Sequence, residues 1–380
     1  MTTDRTGGVV ITGGGTAGHT NPGIAVAQAL VEAGLPQADV HFVGGVRGNE
    51  GTLVAEAGFT IDLLPGRGFA RSLRPAALAA NVGAARALVV GFGRASRILR
   101  RRRPAAVLCL GGYAAASISM AAVVTRVPLV VSEQNARASA VNRLIGRFAT
   151  VCALPYPDVD LPKGVLTGNP IRPSVVDAVR RMDVGSAREA LGLPSDRVVV
   201  AVWSGSLGAR SVNRAVRALA EMWADRSDVA LYHVIGRRDY PEFGDHPPAV
   251  VDGRLMYRTV EYEDRMPELL TAADIAVCRA GASTTSELAV AGLPSVLIPL
   301  PGAPRDHQTA NTAELVSSGG ALLLSDADLS AESLDRLLAP LLNPDDLGRM
   351  ATAAASVGRP DAAGRVAELV LRAGGLVVAT

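Results

Sequence analysis

His19 is the residue of this chain best suited to chemistry. It closes the run Gly13-Gly14-Gly15-Thr16-Ala17-Gly18-His19, between a strand-like stretch Val9–Thr12 and a helix from about Pro22 to Ala33. A neutral imidazole on such a turn can take a proton from an attacking hydroxyl near pH 7. A capping or purely structural histidine fits the same spacing, and the residues alone leave both readings open. Two more glycine turns follow apolar runs and lead into helix-like stretches: Ser204-Gly205-Ser206-Leu207-Gly208-Ala209 and Arg279-Ala280-Gly281-Ala282-Ser283-Thr284-Thr285. Helix N-termini offer unpaired N–H groups and a positive dipole end, so such turns can hold a pyrophosphate without a metal. Three in one chain point to two nucleotide-type halves.

The third turn carries the most specific local pattern. Small residues admit a ligand to the backbone, Ser283 and Thr284 supply donors, and Glu287 lies one turn into the helix. Its carboxylate could take both hydroxyls of a ribose; an ordinary capped helix with Glu near its third position fits equally well. His307 lies in the polar run Arg305–Asn311, which reads as a loop able to meet sugar hydroxyls.

Several other chemistries are disfavoured. Gly13, Gly15 and Gly18 spell a dinucleotide fingerprint, but the second strand ends Phe42-Val43-Gly44-Gly45 without the acid that should hold a ribose. A nicotinamide-dependent enzyme is therefore the minor alternative. Lys163, the only lysine, sits in Pro-Lys-Gly, so no Walker A loop exists. The turn at Ser206 lacks the glycine of a nucleophile elbow. Asp158-Val159-Asp160 and Asp326-Ala327-Asp328 read as solvated loops rather than metal-binding acid pairs. Cys109, Cys152 and Cys278 are isolated in apolar runs and read as buried reduced thiols.

These residues need a scaffold. The 380 residues are 48% hydrophobic and only 4% aromatic, with 40 glycines, which suits an α/β protein with many tight turns. Strand-like runs alternate with helix-like ones up to Glu133-Gln134-Asn135. Gly168-Asn169-Pro170-Ile171-Arg172-Pro173 then breaks the pattern as a hinge, and the alternation restarts. The reading is two Rossmann-like doubly wound parallel-sheet domains facing across a cleft, with ligand at the strand C-terminal ends. The domains are 1–170 and 171–360, with 361–380 a final helix. A net charge of +2 gives no case for nucleic acid. No signal segment or membrane-length apolar run is evident, so a cytoplasmic protein is expected. Arginines from Arg71 and Arg74 through Arg94 to Arg100–Arg103 alternate with Leu78, Val82, Val89, Val90 and Phe92. That face could rest on an anionic membrane, or be an ordinary amphipathic helix with a basic end.

Taken together, Gly13–Pro22, Gly111-Gly112-Tyr113, Glu133-Gln134-Asn135, Gly168–Arg172, Gly205–Arg210, Cys278–Ala282, Ser286–Pro294 and Asp306–Asn311 resemble the MurG family. These are peripheral-membrane N-acetylglucosaminyltransferases of peptidoglycan synthesis, and the resemblance runs in order over nearly the whole chain. It implies a GT-B fold and an inverting transfer from UDP-GlcNAc to lipid I at the inner face of the cell membrane. A paralogue serving another acceptor, such as a secondary metabolite, or a variant serving antibiotic self-protection, is the alternative. His19 would be the general base, with Thr16, Gly18, Tyr113, Glu133 and Asn135 on the acceptor side. Arg172, Ser206, Ala282, Ser283, Thr284, Glu287, His307 and Gln308 would bind the donor, with Arg279 supporting the phosphate loop and the backbone near Glu263 reading the uracil. No cofactor is implied as a requirement; a divalent metal could stimulate, without a dedicated site. Ser132 stands where the family commonly has histidine, and Ser204 and Leu207 where it has glycine and glutamine.

Overall fold

The computed structural model describes residues 7–14, 17–46, 50–65, 75–244 and 254–376. The chain divides into two units: Met1–Arg172 with Pro360–Thr380, and Pro173–Arg359.

Unit 1 is built on seven strands: β1 (Val9–Thr12), β2 (Val40–Gly45), β3 (Thr60–Leu64), β4 (Ala106–Cys109), β5 (Leu129–Ser132), β6 (Val151–Leu154) and β7 (Gly164–Leu166). Their order is β3-β2-β1-β4-β5-β6-β7, and every pairing is parallel. Helices α1 (Ala17–Glu32), α2 (Glu50–Glu56), α3 (Pro75–Arg102), α4 (Tyr113–Thr125) and α5 (Ala140–Gly146) supply the crossovers. The strands read as continuous apolar runs because both faces are covered. Val10, Val107, Cys109, Leu129 and Val131 enter one core with residues of α3, α4 and α5. Their neighbours Val9, Ile11, Ala106, Leu108 and Val130 enter the opposite core.

Unit 2 repeats the plan with β8 (Val198–Trp203), β9 (Val229–Val234), β10 (Met256–Val260), β11 (Ile275–Cys278), β12 (Ser295–Leu297) and β13 (Ala321–Leu323), in the order β10-β9-β8-β11-β12-β13, all parallel. Its helices are α6 (Pro173–Arg181), α7 (Val184–Leu191), α8 (Arg210–Met222), α9 (Tyr240–Phe243), α10 (Met266–Ala272), α11 (Ala282–Ala291), α12 (His307–Ser318), α13 (Ala331–Leu338) and α14 (Pro344–Ser356).

The last helix, α15 (Ala362–Gly374), belongs to unit 1. Val366 and Val370, both fully buried, insert among Val9, Ile11, Leu108 and Val130. Each such valine contributes about 2 kcal/mol of burial, which holds the helix on that face.

The three cysteines are buried. Burial raises the Cys109 and Cys278 thiols and pushes Cys152 up to about 11, so none is poised as a nucleophile.

Candidate functional site

In each unit the strand order reverses beside its first strand, between β1 and β4 and between β8 and β11. Open parallel sheets bind ligands beyond the strand C-termini at such points. The glycine turns that follow β1, β4, β8 and β11 lead away from these points.

In unit 1 the turns after β1 and β4 touch through their backbones. Gly112, at φ 85°, caps α4, and a Cβ there would lie 2.4 Å from the Gly14 carbonyl oxygen. Only glycine tolerates both the left-handed backbone and the approach. His19 sits in the first turn of α1, and Gly18 beside it is exposed. Tyr113 begins α4 and is 48% exposed. Thr16 lies outside the described residues.

Glu133, after β5, is 1% exposed. One carboxylate oxygen accepts from the Gln134 and Asn135 backbone N–H groups at 3.0 and 3.1 Å. The other accepts from Ser139 N at 2.9 Å and Asn142 Nδ2 at 2.8 Å. Both oxygens are thus engaged within the chain, so the carboxylate shapes the turn instead of facing an acceptor. Asn142, which no motif singles out, is its buried partner, fixed by Ser139 capping α5. Asn135 remains partly exposed on the shaped turn. Arg172 is the last residue of unit 1 and partly buried.

In unit 2 the turn after β8 packs on the turn after β9. Gly208 (φ 85°) would place a Cβ 2.1 Å from the Ile235 carbonyl oxygen. Ser206 is exposed at this turn. Beneath it, His233 is fully buried and bonded to Tyr257 Oη at 2.9 Å and Asn213 Oδ1 at 3.1 Å. Asn213 donates its amide to Ile235 O and Asp239 Oδ2, so its oxygen accepts from His233 Nε2–H, and the Tyr257 hydroxyl can donate to Nδ1 of a neutral imidazole. Burial drives its pKa down to about 3. The unfolded chain binds this proton below about pH 6.5 and the folded chain does not. Stability should therefore fall by about 1.4 kcal/mol per pH unit between about 6.5 and 3 on this group's account. Urea melts of His233→Gln across that window should show a shallower acid limb; an unchanged slope would contradict the assignment.

Arg279 follows β11 and is 8% exposed. It pairs with Asp326 at 2.6 Å and donates to Pro299 O at 3.1 Å and Ser211 Oγ at 2.9 Å. Ser211 in turn donates to Asp326 at 2.7 Å. One guanidinium thus ties together the segments that follow β8, β11, β12 and β13. Asp326 is half-buried in this network, which corrects its reading as a solvated loop residue. Arg279 supports the turn from below rather than opening toward a ligand.

Above it, Gly281 caps α11 without any side-chain acceptor. The N–H groups of Ala282, Ser283 and Thr284 form the helix mouth, and all three residues are partly exposed. Asn311 Nδ2 holds the Ala280 carbonyl at 3.2 Å. Glu287 is partly buried on the second turn. Glu263, beyond β10, is 7% exposed, bonded to the Tyr232 hydroxyl and to Arg265 N at 2.7 Å. Its side chain is consumed, leaving the backbone of that segment for recognition.

Arg305–Asn311 is not a loop throughout: α12 starts at His307, after Arg305 and Asp306 in left-handed backbone (φ 58° and 52°). His307 Nδ1 lies 2.9 Å from Pro304 O, and a carbonyl only accepts, so Nε2 is the acceptor nitrogen. Gln308 Oε1 accepts from Leu300 N at 2.9 Å, leaving its amide NH₂ to donate to a ligand.

The known proteins to which this chain is similar agree with that geometry. Residues 9–154 match the glycosyltransferase family 28 N-terminal domain and residues 199–366 its C-terminal domain. A relative from Salinibacter ruber is 38% identical over 367 residues, 96% of each chain. It is named UDP-N-acetylglucosamine–N-acetylmuramyl-(pentapeptide) pyrophosphoryl-undecaprenol N-acetylglucosamine transferase. The chain belongs to the MurG family. A Desulforudis audaxviator relative of the same name is 34% identical, covering 97% of this chain and 98% of its own. The fold is also that of Acinetobacter baumannii MurG in its crystal structure, with a TM-score of 0.76 at 24% identity, covering 96% of this chain and 99% of that one. Membership makes the chain a hexosyltransferase of GT-B architecture.

Proposed function

We propose that this MurG-family chain moves N-acetylglucosamine from UDP-GlcNAc to the C4 hydroxyl of the muramic acid in undecaprenyl-linked lipid I, giving lipid II. The observation that carries the reading is identity with lipid II-forming transferases along nearly the entire chain. In the reaction His19 takes the acceptor proton while the hydroxyl oxygen bonds to the anomeric carbon. The bond to the diphosphate breaks on the opposite face, so configuration inverts, and UDP departs with the electron pair. Its growing charge is met by the α11 mouth at Ala282–Thr284, by Ser206 and by Arg172. Glu287 takes the ribose, the backbone near Glu263 the uracil, and His307 and Gln308 the sugar hydroxyls. Gly18, Tyr113 and Asn135 line the acceptor side.

Among the described residues no helix is long and apolar enough to cross a membrane. The reading has the lipid acceptor met at a surface. On α3, Val82, Val89 and Val90 are exposed, and Arg86, Arg94, Arg97 and Arg100 are exposed along the same helix. This apolar and basic face fits an anionic bilayer; Arg71 and Arg74 lie outside the described residues. With labelled UDP-GlcNAc and lipid I in anionic vesicles, labelled lipid II should form. Arg94→Glu with Arg97→Glu should cut the vesicle rate by about 10-fold or more, since each basic residue near such a surface contributes about 1 kcal/mol. The same variant should keep its rate on detergent-solubilised lipid I. Equal loss in both media would remove the docking role, and absence of any product would remove the function.

A further inference from the structure

We propose that Gln134 is a positioning residue that fixes the tautomer of His19, leaving Nε2 as the bare, proton-accepting nitrogen. The inference rests on the reading of His19 as general base and adds how the protein prepares it.

His19 Nδ1 lies 2.8 Å from Gln134 Oε1, although 115 residues separate them. A side-chain amide could face the ring with either end, and the second contact decides which. Gln134 Nε2 lies 2.8 Å from the Ser132 carbonyl oxygen. Reversing the amide would set two carbonyl-type oxygens 2.8 Å apart with no proton between them, which is repulsive. The NH₂ group therefore donates to Ser132 and the amide oxygen faces His19. An amide oxygen only accepts, so Nδ1 carries the hydrogen. In a neutral imidazole Nε2 is then unprotonated, the form a general base needs.

The amide is itself immobilised. Gln134 is 1% exposed, and its backbone N–H is held by Glu133, whose carboxylate also binds Asn135, Ser139 and Asn142. Asn142 Nδ2 additionally reaches the Ser132 carbonyl at 3.4 Å. The line of control runs from the Glu133 carboxylate through the turn to Gln134, and from there to the ring. A neutral amide holds the imidazole without the electrostatic pull toward imidazolium that a carboxylate would exert.

The test has two independent arms. The full chain labelled with [¹⁵N]histidine has five histidines to resolve, and a His19→Ala difference spectrum assigns the signal. Above pH 7.5 the His19 resonances should show protonated Nδ1 and bare Nε2; the reverse pattern would overturn the proposal. In transfer assays Gln134→Met should lower kcat by about 10- to 100-fold with KM for UDP-GlcNAc within about twofold. Gln134→Glu keeps an acceptor toward Nδ1 but turns its second oxygen on the Ser132 carbonyl, so its activity should fall between those of the wild type and Gln134→Met. Its added charge should move the acid limb of kcat to higher pH by about one unit. An unmoved limb would mean that the side chain at position 134 does not touch the base, and would contradict the proposal. Wild-type kcat in a folded Gln134→Met chain would refute the positioning role; if that variant fails to fold, the Gln134→Glu profile and the wild-type spectrum decide. Full turnover by His19→Ala would instead remove the base itself while leaving the tautomer intact, so the two failures are distinguishable.

Discussion

Replacing His19 with alanine should lower kcat for sugar transfer about 100- to 10,000-fold. KM for UDP-GlcNAc should change by no more than about twofold. The expectation follows from where the ring sits. His19 is in the first turn of α1 beside the β1–β4 strand reversal, in unit 1. The groups proposed to bind the donor, Ser206, Ala282–Thr284, Glu287, His307 and Gln308, all belong to unit 2. Losing a proton acceptor acts on the transition state alone, so turnover falls while donor binding persists. His19→Gln separates shape from chemistry. It restores polarity at the position but accepts no proton at neutral pH, and should be nearly as slow. Steady-state kinetics with both substrates varied would check this; a rise in donor KM at constant kcat would instead mark His19 as a binding group.

Arg279→Met should destabilise unit 2 by about 3 kcal/mol and weaken donor binding along with it. The methionine fills much of the volume but leaves Asp326 half-buried without its cation and Pro299 O and Ser211 Oγ without their donor. Leaving one member of a buried pair uncompensated is what makes the loss large. Asp326→Asn keeps an acceptor for Ser211 and removes the charge, so it should cost less. Because Arg279 ties the segments after four strands, its removal also loosens the Ala282–Thr284 mouth. Denaturant melts and UDP titration should therefore shift together in Arg279→Met. A stable variant with weakened UDP binding would mean that Arg279 meets the diphosphate directly.

What the sequence could reveal depended on range. The buried parallel strands were legible because both faces are covered, which leaves apolar runs such as Val198–Trp203 between glycine turns. The site turns were legible for the same reason: Gly112 and Gly208 answer local backbone demands. Pro173 reads as the end of a hinge, yet it opens α6, since the first helical position has no N–H partner to lose. His307 reads as a loop residue but begins a helix, because two residues in left-handed backbone deliver the chain into it. β13 is not legible, because a three-residue strand is too short for a period. Glu133, Arg279 and Asp326 looked like a ligand contact, a loop support and a solvated acid. Arg279 and Asp326 find their partners across the unit, up to 115 residues away, where no local pattern encodes them, while Glu133 closes its own turn onto residues 134–142. Gln134 stood inside a motif without a role until the ring of His19, from the other end of the unit, was found against it.

The central claim is most directly tested by offering the purified chain UDP-[¹⁴C]GlcNAc with lipid I and, in parallel, with lipid I whose muramic acid lacks the C4 hydroxyl. The account predicts one label transferred to lipid for each UDP released with the intact acceptor, and none with the deoxy compound. Label on the deoxy acceptor, or UDP release without lipid labelling in the intact case, would contradict it.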